Sequence, residues 1–465
     1  MRRWITFIAV WAALAPSLLH SGQSARAQSA PAKPIEHVII ISVDGLKPQS
    51  YTEPDTHGLK VPTLREIVSH GAWSSGAMPV MPSVTYPSHT SMVTGVHPGL
   101  HGIFTNTAWD PLEKNYAGYR WYEEDIRVPT LWQVARQRGL RTALVHWPVT
   151  VGAQSDFIVP EYWRASIPED LKLLRALSTP GVFGEVTKEF PEISTEIQPP
   201  LQADAVWADI ACYALETLRP HLLLLHIDMV DHWQHEKGPF SAEGNAAIED
   251  SDAQIARVIA AAKKAGLWDT TVLVIVSDHG FVPISQALRP GVLLRDRGLV
   301  TLDAQNHPLS WKASVLTNAG SAYIYVKDAA DDATRRTLLE IFQPLAGAEG
   351  SGIRRLAAHP EIVAMGGDAD AFLALEAADG TSFIPGYAGD LKGPSKIAGT
   401  HGYFPDRPEM RASLLVYGPA IGAGRIDNAR LIDVGPTVAS WLGFDLPKAE
   451  GVPLTIPAPA PAAEK

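Results

Sequence analysis

The chain of 465 residues holds a single cysteine, Cys212, which excludes an intrachain disulfide. It also lacks a basic surplus: 39 Lys and Arg stand against 50 Asp and Glu, a formal net charge of -11. Such a surface does not attract nucleic-acid backbone or anionic lipid, so no nucleic-acid polymer is expected as a partner. No internal repeat of fixed period is present, which excludes a repeat architecture. Beyond the first residues, no apolar run is long enough to span a membrane. An anionic substrate must therefore be drawn by local charge, of the kind a bound metal supplies.

The N-terminus reads as a secretory signal over residues 1–27. Arg2 and Arg3 form the basic start, an apolar run from Trp4 to Leu19 follows, and Ala25-Arg26-Ala27 matches a small-residue cleavage site. The run nears the length of a spanning helix, but its short core and the cleavage site favour removal, with no stable membrane insertion afterwards. Removal leaves 36 basic and 50 acidic residues, or -14. Cys212 lies in an amphipathic stretch and is expected to be a buried small apolar residue. An exported chain without disulfides suits a bacterial periplasm.

Apolar strands alternate with helical patterns through most of the rest. HVIIISVDG at 37–45, HLLLLHID at 221–228 and TVLVIVSDHG at 271–280 are continuous apolar runs, as expected of strands buried on both faces. Helical periodicity precedes or follows them at 61–71, 128–139, 204–218 and 246–265. The repeated units predict an α/β fold with a mostly parallel central sheet flanked by helices. The predicted core covers 35–283 and 399–455. Residues 284–398 carry their own strand and helix patterns and are expected to form a smaller inserted cap. Residues 150–200 look loop-rich, and the Pro/Ala-rich tail at 456–465 is expected to be disordered.

Acids and histidines recur where the predicted strands end. Ligands in such folds collect at the carboxyl ends of the strands. Asp44 closes the first run, Asp231 and His235 follow the second, Asp278 and His279 close the third, and His401 sits in GTHGY. Three carboxylates and three imidazoles suffice for two divalent metals with open positions. Asp231 and His235, four apart, share one face of a helical turn, although His226, Asp228 and His232 offer alternatives nearby. Gly280 gives the Asp278-His279 backbone room. Taken singly, Asp44-Gly45 is more often a turn than a ligand, and Asp278 could merely cap; the set is much stronger than its members. Thr85 begins a probable helix, TYPSHTSMVTG, where free N–H groups suit a phosphate oxygen. Its bland role is an N-cap. A metal would lower its hydroxyl pKa and make a nucleophile. The combination points to metal-assisted phosphoryl-group hydrolysis.

The set resembles the alkaline phosphatase superfamily and, within it, the nucleotide pyrophosphatase/phosphodiesterase family. The matching pieces are VDG at Asp44, TYPSHTSMVTG at Thr85, HGIFTN ending at Asn106, DHWQHEKGP at Asp231, SDHG at Asp278 and GTHGY at His401. The resemblance implies an alkaline-phosphatase-like core and two zinc ions. Asp231, His235 and His401 would hold one, and Asp44, Asp278, His279 and the Thr85 oxygen the other. Thr85 would attack phosphorus to give a phospho-threonine, and Asn106 would donate to a non-bridging oxygen. The implied substrates are small phosphodiesters or pyrophosphates of nucleotides. Tyr86 would stack on a nucleobase, with Tyr162 or Trp163 as the opposite wall. The chain departs from the family at Ser88, where Asn is frequent, and at Val230 and Gln234 around the first ligand pair. A sulfatase is excluded by Thr85 and by His89 at the position of its arginine. A phosphate-monoester hydrolase would need extra cations, for which Lys47 and Arg164 are the candidates. Phosphonoacetate hydrolase is a competitor with similar chemistry. A non-catalytic zinc or ligand-binding protein would need neither Thr85 nor Asn106.

Overall fold

Three strands are buried along their whole length: His37–Val43, Leu222–Ile227 and Thr271–Val276. They form the middle of the computed structural model, which describes residues 34–114, 118–162, 168–189 and 203–459. The expected leader, Trp163, Arg164 and residues 460–465 lie outside the described residues.

His37–Val43 runs parallel to both neighbours, with Ile41 beside Leu225 on one side and Ile275 on the other. Alternate side chains point to opposite faces. Ile39, Ile41, Leu225 and Ile275 pack beneath helices Pro62–His70, Ala203–Thr217 and Ala242–Lys264. Val38, Ile40, Leu224 and Val274 pack against Thr85–Thr94, Leu131–Gln137 and Val434–Trp441. Burial contributes roughly 1.5–3 kcal/mol per large apolar side chain, so both layers are anchored by these alternating rows.

The complete sheet has eight strands. In spatial order they are Gly424–Arg425, Ala72–Trp73, Leu414–Tyr417, Thr271–Val276, His37–Val43, Leu222–Ile227, Thr142–Val145 and Phe157–Val159. The sheet is mixed, because Leu414–Tyr417 runs antiparallel to both of its neighbours. The cause lies in the chain path. After Asp278 the chain leaves at the carboxyl end of the sheet and returns through His401 to the same end, so the next strand must run downward.

That excursion is closed at its base. Val282–Leu288 begins two residues before the expected boundary and pairs antiparallel with Gly399–Thr400, placing Val282 opposite Thr400. Beyond this neck, Ala313–Asn318, Ser321–Val326, Leu373–Ala377 and Ile353–Ala358 form a four-stranded antiparallel sheet. Helix Asp332–Phe342 covers it through Leu338 and Phe342.

Two stretches differ from expectation. Within 150–200, Phe157–Val159 adds an edge strand, and Pro168–Leu177 and Val182–Glu189 are helices. Proline at the start of a helix misled the reading, since it is well tolerated there. The tail is docked through its first four residues: Ile456 packs on the core, and the Pro457 carbonyl accepts from the Gly422 N–H at 2.8 Å. Cys212 is buried, as expected. Among the described residues no helix is long and apolar enough to cross a membrane.

Candidate metal centre and nucleophile turn

The parallel register assembles the site. Val43 lies beside Ile227, and Ser42 beside Val276, so the residues that follow these positions emerge together. Asp44 leaves the central strand, Met229–Lys237 starts its helix just past Ile227, and Asp278 and His279 leave the third strand. One helical turn then brings His235 Nε2 to 3.4 Å from Asp231 Oδ2. The Val282–Thr400 pairing returns His401 to His279, and their rings stack at 3.6 Å and 8°.

The six carboxylates and imidazoles among the seven sequence-predicted ligands converge. His401 Nε2 lies 3.6 Å from Asp231 Oδ1. His279 Nε2 lies 3.3 Å from Asp44 Oδ1 and 3.1 Å from Asp278 Oδ2. Ligand atoms of Asp231, His235 and His401 fall within 4.8 Å of one another, as do those of Asp44, Asp231 and His279. Asp231 thus borders both groups, while Asp278 approaches through His279.

Each histidine is oriented by a backbone carbonyl. Nδ1 of His235 faces the Gly399 oxygen at 2.9 Å, that of His279 the Gly280 oxygen at 3.1 Å, and that of His401 the Ser83 oxygen at 3.2 Å. A carbonyl only accepts, so Nδ1 carries the proton and the Nε2 lone pair faces the carboxylates. Burial, reinforced by neighbouring imidazoles, holds His279 and His401 well below the ordinary histidine pKa, hence neutral. Among the described residues, buried Asp44 Oδ1, Asp231 Oδ1, Asp278 Oδ2 and His279 Nε2 have no hydrogen-bond partner. Lone pairs facing lone pairs in a dry cleft call for a cation between them, and a mixed imidazole/carboxylate set fits zinc.

Two glycines make the approach possible. A Cβ on Gly280 would lie 2.0 Å from the Glu409 carbonyl oxygen, and one on Gly402, at φ +84°, would lie 2.0 Å from that of Asn318. Gln234, which departs from the family pattern, is fully buried and donates Nε2–H to the Gly45 carbonyl at 2.9 Å. It staples the Asp231 helix to the turn after Asp44. Asp278 Oδ1 accepts from the Gly45 N–H at 3.1 Å. Val230 is core.

Thr85 is the first residue of helix Thr85–Thr94 and is 9% exposed. The N-cap position belongs to Val84, so Thr85 is not the cap. His89, one turn on, donates Nδ1–H to the Thr85 carbonyl at 2.8 Å and accepts at Nε2 from the Ser42 hydroxyl at 2.8 Å, and its Nδ1 lies 3.9 Å from Asp278 Oδ2. This ties the turn carrying Thr85 to the candidate metal ligands. Asn106 Oδ1 accepts from the Tyr86 N–H at 2.9 Å, one of the helix's free donors. The bond fixes the amide with its NH₂ left to donate.

The aromatics are arranged otherwise than expected. Tyr86 is 1% exposed, donates its hydroxyl to Glu161 at 2.9 Å and packs edge-on against Tyr119. It offers no open face for stacking, because Trp121, Val149 and Val151 enclose it. Tyr162 is half-buried, with its ring 4.9 Å from Trp121. Lys47, weighed as a phosphate cation, lies with Nζ 5.2 Å from the Phe240 ring.

Glu161 and His226 are the residues that sequence patterns undervalued. His226 stands between Asp44 and Glu161, 3.1 and 3.3 Å away. Burial disfavours its charged form, but hydrogen bonds to both carboxylates, with their charges, raise its pKa well above the ordinary value. Burial likewise opposes ionisation of Glu161, and the bond and charge of His226 reverse it, lowering the Glu161 pKa. Glu161 sits in an apolar run beside two aromatics that drew the attention.

Burial, with the nearby charge of Asp278, pushes Asp231 up to about 6 against the opposing effect of His235. A raised carboxylate pKa means that the folded metal-free protein holds a proton the unfolded chain releases, so this stability is lost as pH rises from 3.8 through about 6. Metal binding to the carboxylate gains over the same window. The gap in Tm between zinc-loaded and chelated protein should therefore widen as pH rises through about 6, as read by calorimetry. Gly280→Ala should lower zinc affinity at least about tenfold in chelator competition, because backbone must shift at two ligands.

Known proteins resemble this chain in sequence and in fold. Ectonucleotide pyrophosphatase/phosphodiesterase family member 1 of Rattus norvegicus is 24% identical over 253 residues, 52% of this chain and 24% of its own. An uncharacterized pyrophosphatase/phosphodiesterase of Schizosaccharomyces pombe is 26% identical over 256 residues, 53% of this chain and 45% of its own. The matched regions thus span less than half the length of these relatives. The solved murine ectonucleotide pyrophosphatase/phosphodiesterase 5 shares the fold, with a TM-score of 0.63 at 20% identity over 89% of this chain and 97% of that one. A second murine structure, an inactive threonine-to-alanine form in complex with AMP, superposes with the same TM-score at 19% identity, over 90% and 97%. The profile of type I phosphodiesterases / nucleotide pyrophosphatases matches residues 38–404, from inside the strand that delivers Asp44 to just past His401, and the chain belongs to that family.

Proposed function

We propose that the protein is a two-zinc hydrolase of phosphodiester or pyrophosphate bonds in nucleotides and related small molecules, acting through Thr85. The observation that carries this reading is the convergence of unpartnered carboxylate and imidazole atoms beside a nucleophile turn. Asp231, His235 and His401 would hold one ion, and Asp44, Asp278, His279 and Thr85 the other. When bound, the ions supply Lewis acidity, which lowers the pKa of hydroxyl and water and offsets charge on phosphate oxygens.

The chain's own groups do the rest. Thr85 Oγ, at the head of a buried helix, attacks phosphorus in line as its proton passes to solvent water, from which the leaving oxygen takes one up. The bond to the leaving oxygen breaks on the opposite side, and the phosphoryl group is left on Thr85. Water then attacks the same phosphorus, the P–Oγ bond breaks, and Thr85 regains a proton. The Asn106 NH₂, held by the Tyr86 N–H on its carbonyl oxygen, donates to a non-bridging oxygen. That a threonine-to-alanine form of a structural neighbour is inactive and holds AMP supports a nucleophilic threonine and a nucleotide-sized pocket. The order basic start, apolar run and Ala25-Arg26-Ala27 supports export to a periplasm.

Thr85→Ala should abolish turnover of a nitrophenyl nucleotide diester while metal analysis still finds both ions; near-normal turnover would sink the mechanism. Asn106→Ala should lower kcat about 10²–10³-fold with both metals retained, measured on the same diester. A side-by-side assay with nitrophenyl phosphate and phosphonoacetate tests the substrate class. Diester-dominated, chelator-sensitive rates are expected, whereas dominance of either other substrate would replace it.

A further inference from the structure

His226 is the penultimate residue of the strand Leu222–Ile227, lies opposite Ser42 in register and is 1% exposed. Its Nε2 lies 3.1 Å from Asp44 Oδ2. Its Nδ1 lies 3.2 Å from the His146 carbonyl oxygen and 3.3 Å from Glu161 Oε2. The other Glu161 oxygen accepts from the Tyr86 hydroxyl, and Tyr86 follows Thr85. Contacts therefore run from Asp44 through His226 and Glu161 to Tyr86, with hydrogen bonds at the two ends and an ion pair between His226 and Glu161. Asp44 turns one oxygen to His226 and leaves Oδ1 buried and unpartnered toward His279. Tyr86 is held at both ends, by Glu161 at the hydroxyl and Asn106 at the N–H.

The surroundings fix the ring plane of His226. The His89 ring lies 4.5 Å away, nearly edge-on, and the His146 ring 5.5 Å away, nearly parallel. His146 in turn stacks on Trp207 at 4.1 Å. The turn that brings the His146 carbonyl here is built with two non-glycine residues at positive φ, His146 at +54° and the β-branched Val149 at +57°. Such conformations are unfavourable and persist where surrounding contacts impose them. Each nitrogen of this histidine faces a buried carboxylate: Nε2 is hydrogen-bonded to Asp44, a candidate ligand, and Nδ1, hydrogen-bonded to the His146 carbonyl, also lies in ion-pair range of Glu161.

We propose that His226 and Glu161 are positioning residues that set the Asp44 carboxylate toward its metal and, through Tyr86, the turn carrying Thr85, so that the two are held in one frame of hydrogen bonds and an ion pair. This rests on the two-metal reading of the site. The test uses zinc competition with a chromogenic chelator, kinetics on a nitrophenyl nucleotide diester, and Tm. Asparagine places its amide near the Nδ1 position and glutamine near Nε2. His226→Asn should weaken one of two bound zinc ions about 10–100-fold and leave the other unchanged. His226→Gln should keep both zinc affinities yet share with Glu161→Gln a fall in kcat at unchanged KM. Tyr86→Phe, which preserves packing, should lower kcat without changing zinc affinity or KM. Wild-type zinc affinities and kcat in His226→Asn would overturn the proposal. So would equal losses at both zinc sites in His226→Asn and His226→Gln, in step with a falling Tm, which is the mark of a merely structural role. Wild-type protein that takes up no zinc would instead overturn the two-metal reading on which the proposal stands.

Discussion

Like charges gathered in a dry place are the constraint on which this structure turns. Asp44, Asp231 and Asp278 are brought together because three parallel strands are buried on both faces and end at the same level. Burial pushes the Asp44 pKa well above the carboxylate range, with Asp278 and Asp231 adding to the effect. The fold spends apolar packing to hold an arrangement that electrostatics alone would scatter. Much of what surrounds the site serves that arrangement: backbone carbonyls that orient imidazoles, glycines that let two segments touch, and an interior histidine shared between acids.

The central sheet was legible in the sequence because continuous apolar runs have few alternatives. HVIIISV, LLLLHI and TVLVIV could hardly be anything but interior strands, and their C-terminal acids follow from strand geometry. The cluster of candidate ligands was legible for the same reason, since Asp44, Asp278 and His279 are placed by where strands end and His235 by one helical turn from Asp231. His401 was harder: only a pairing at the neck of a long excursion returns it to His279. Hidden altogether was the wiring around Glu161, because one acid between a short strand and two aromatics has no period or spacing to announce it.

Tyr86 shows where motif logic and packing part. Its place after Thr85 implies contact with a base, but Glu161 and the ring of Trp121 and Val149 draw it inward. Position in a motif fixes where a backbone atom lies, and neighbours far away in sequence decide what the side chain does. Gln234 makes the same point in the opposite direction. A residue foreign to the family pattern is accommodated because its amide finds the Gly45 carbonyl, and the ligand pair around it is left in place.

The paired neck between Val282 and Thr400 has a consequence for how the molecule comes into being. Two imidazoles that must lie ring to ring sit on opposite sides of a long excursion, and only its completed base joins them. Contacts so distant in sequence form late, after the closure entropy of the intervening chain has been met. The cleft is thus finished only when the excursion has been tied off. A nascent or misassembled chain keeps His279 and His401 apart, so the candidate ligand cluster comes together only as folding is completed.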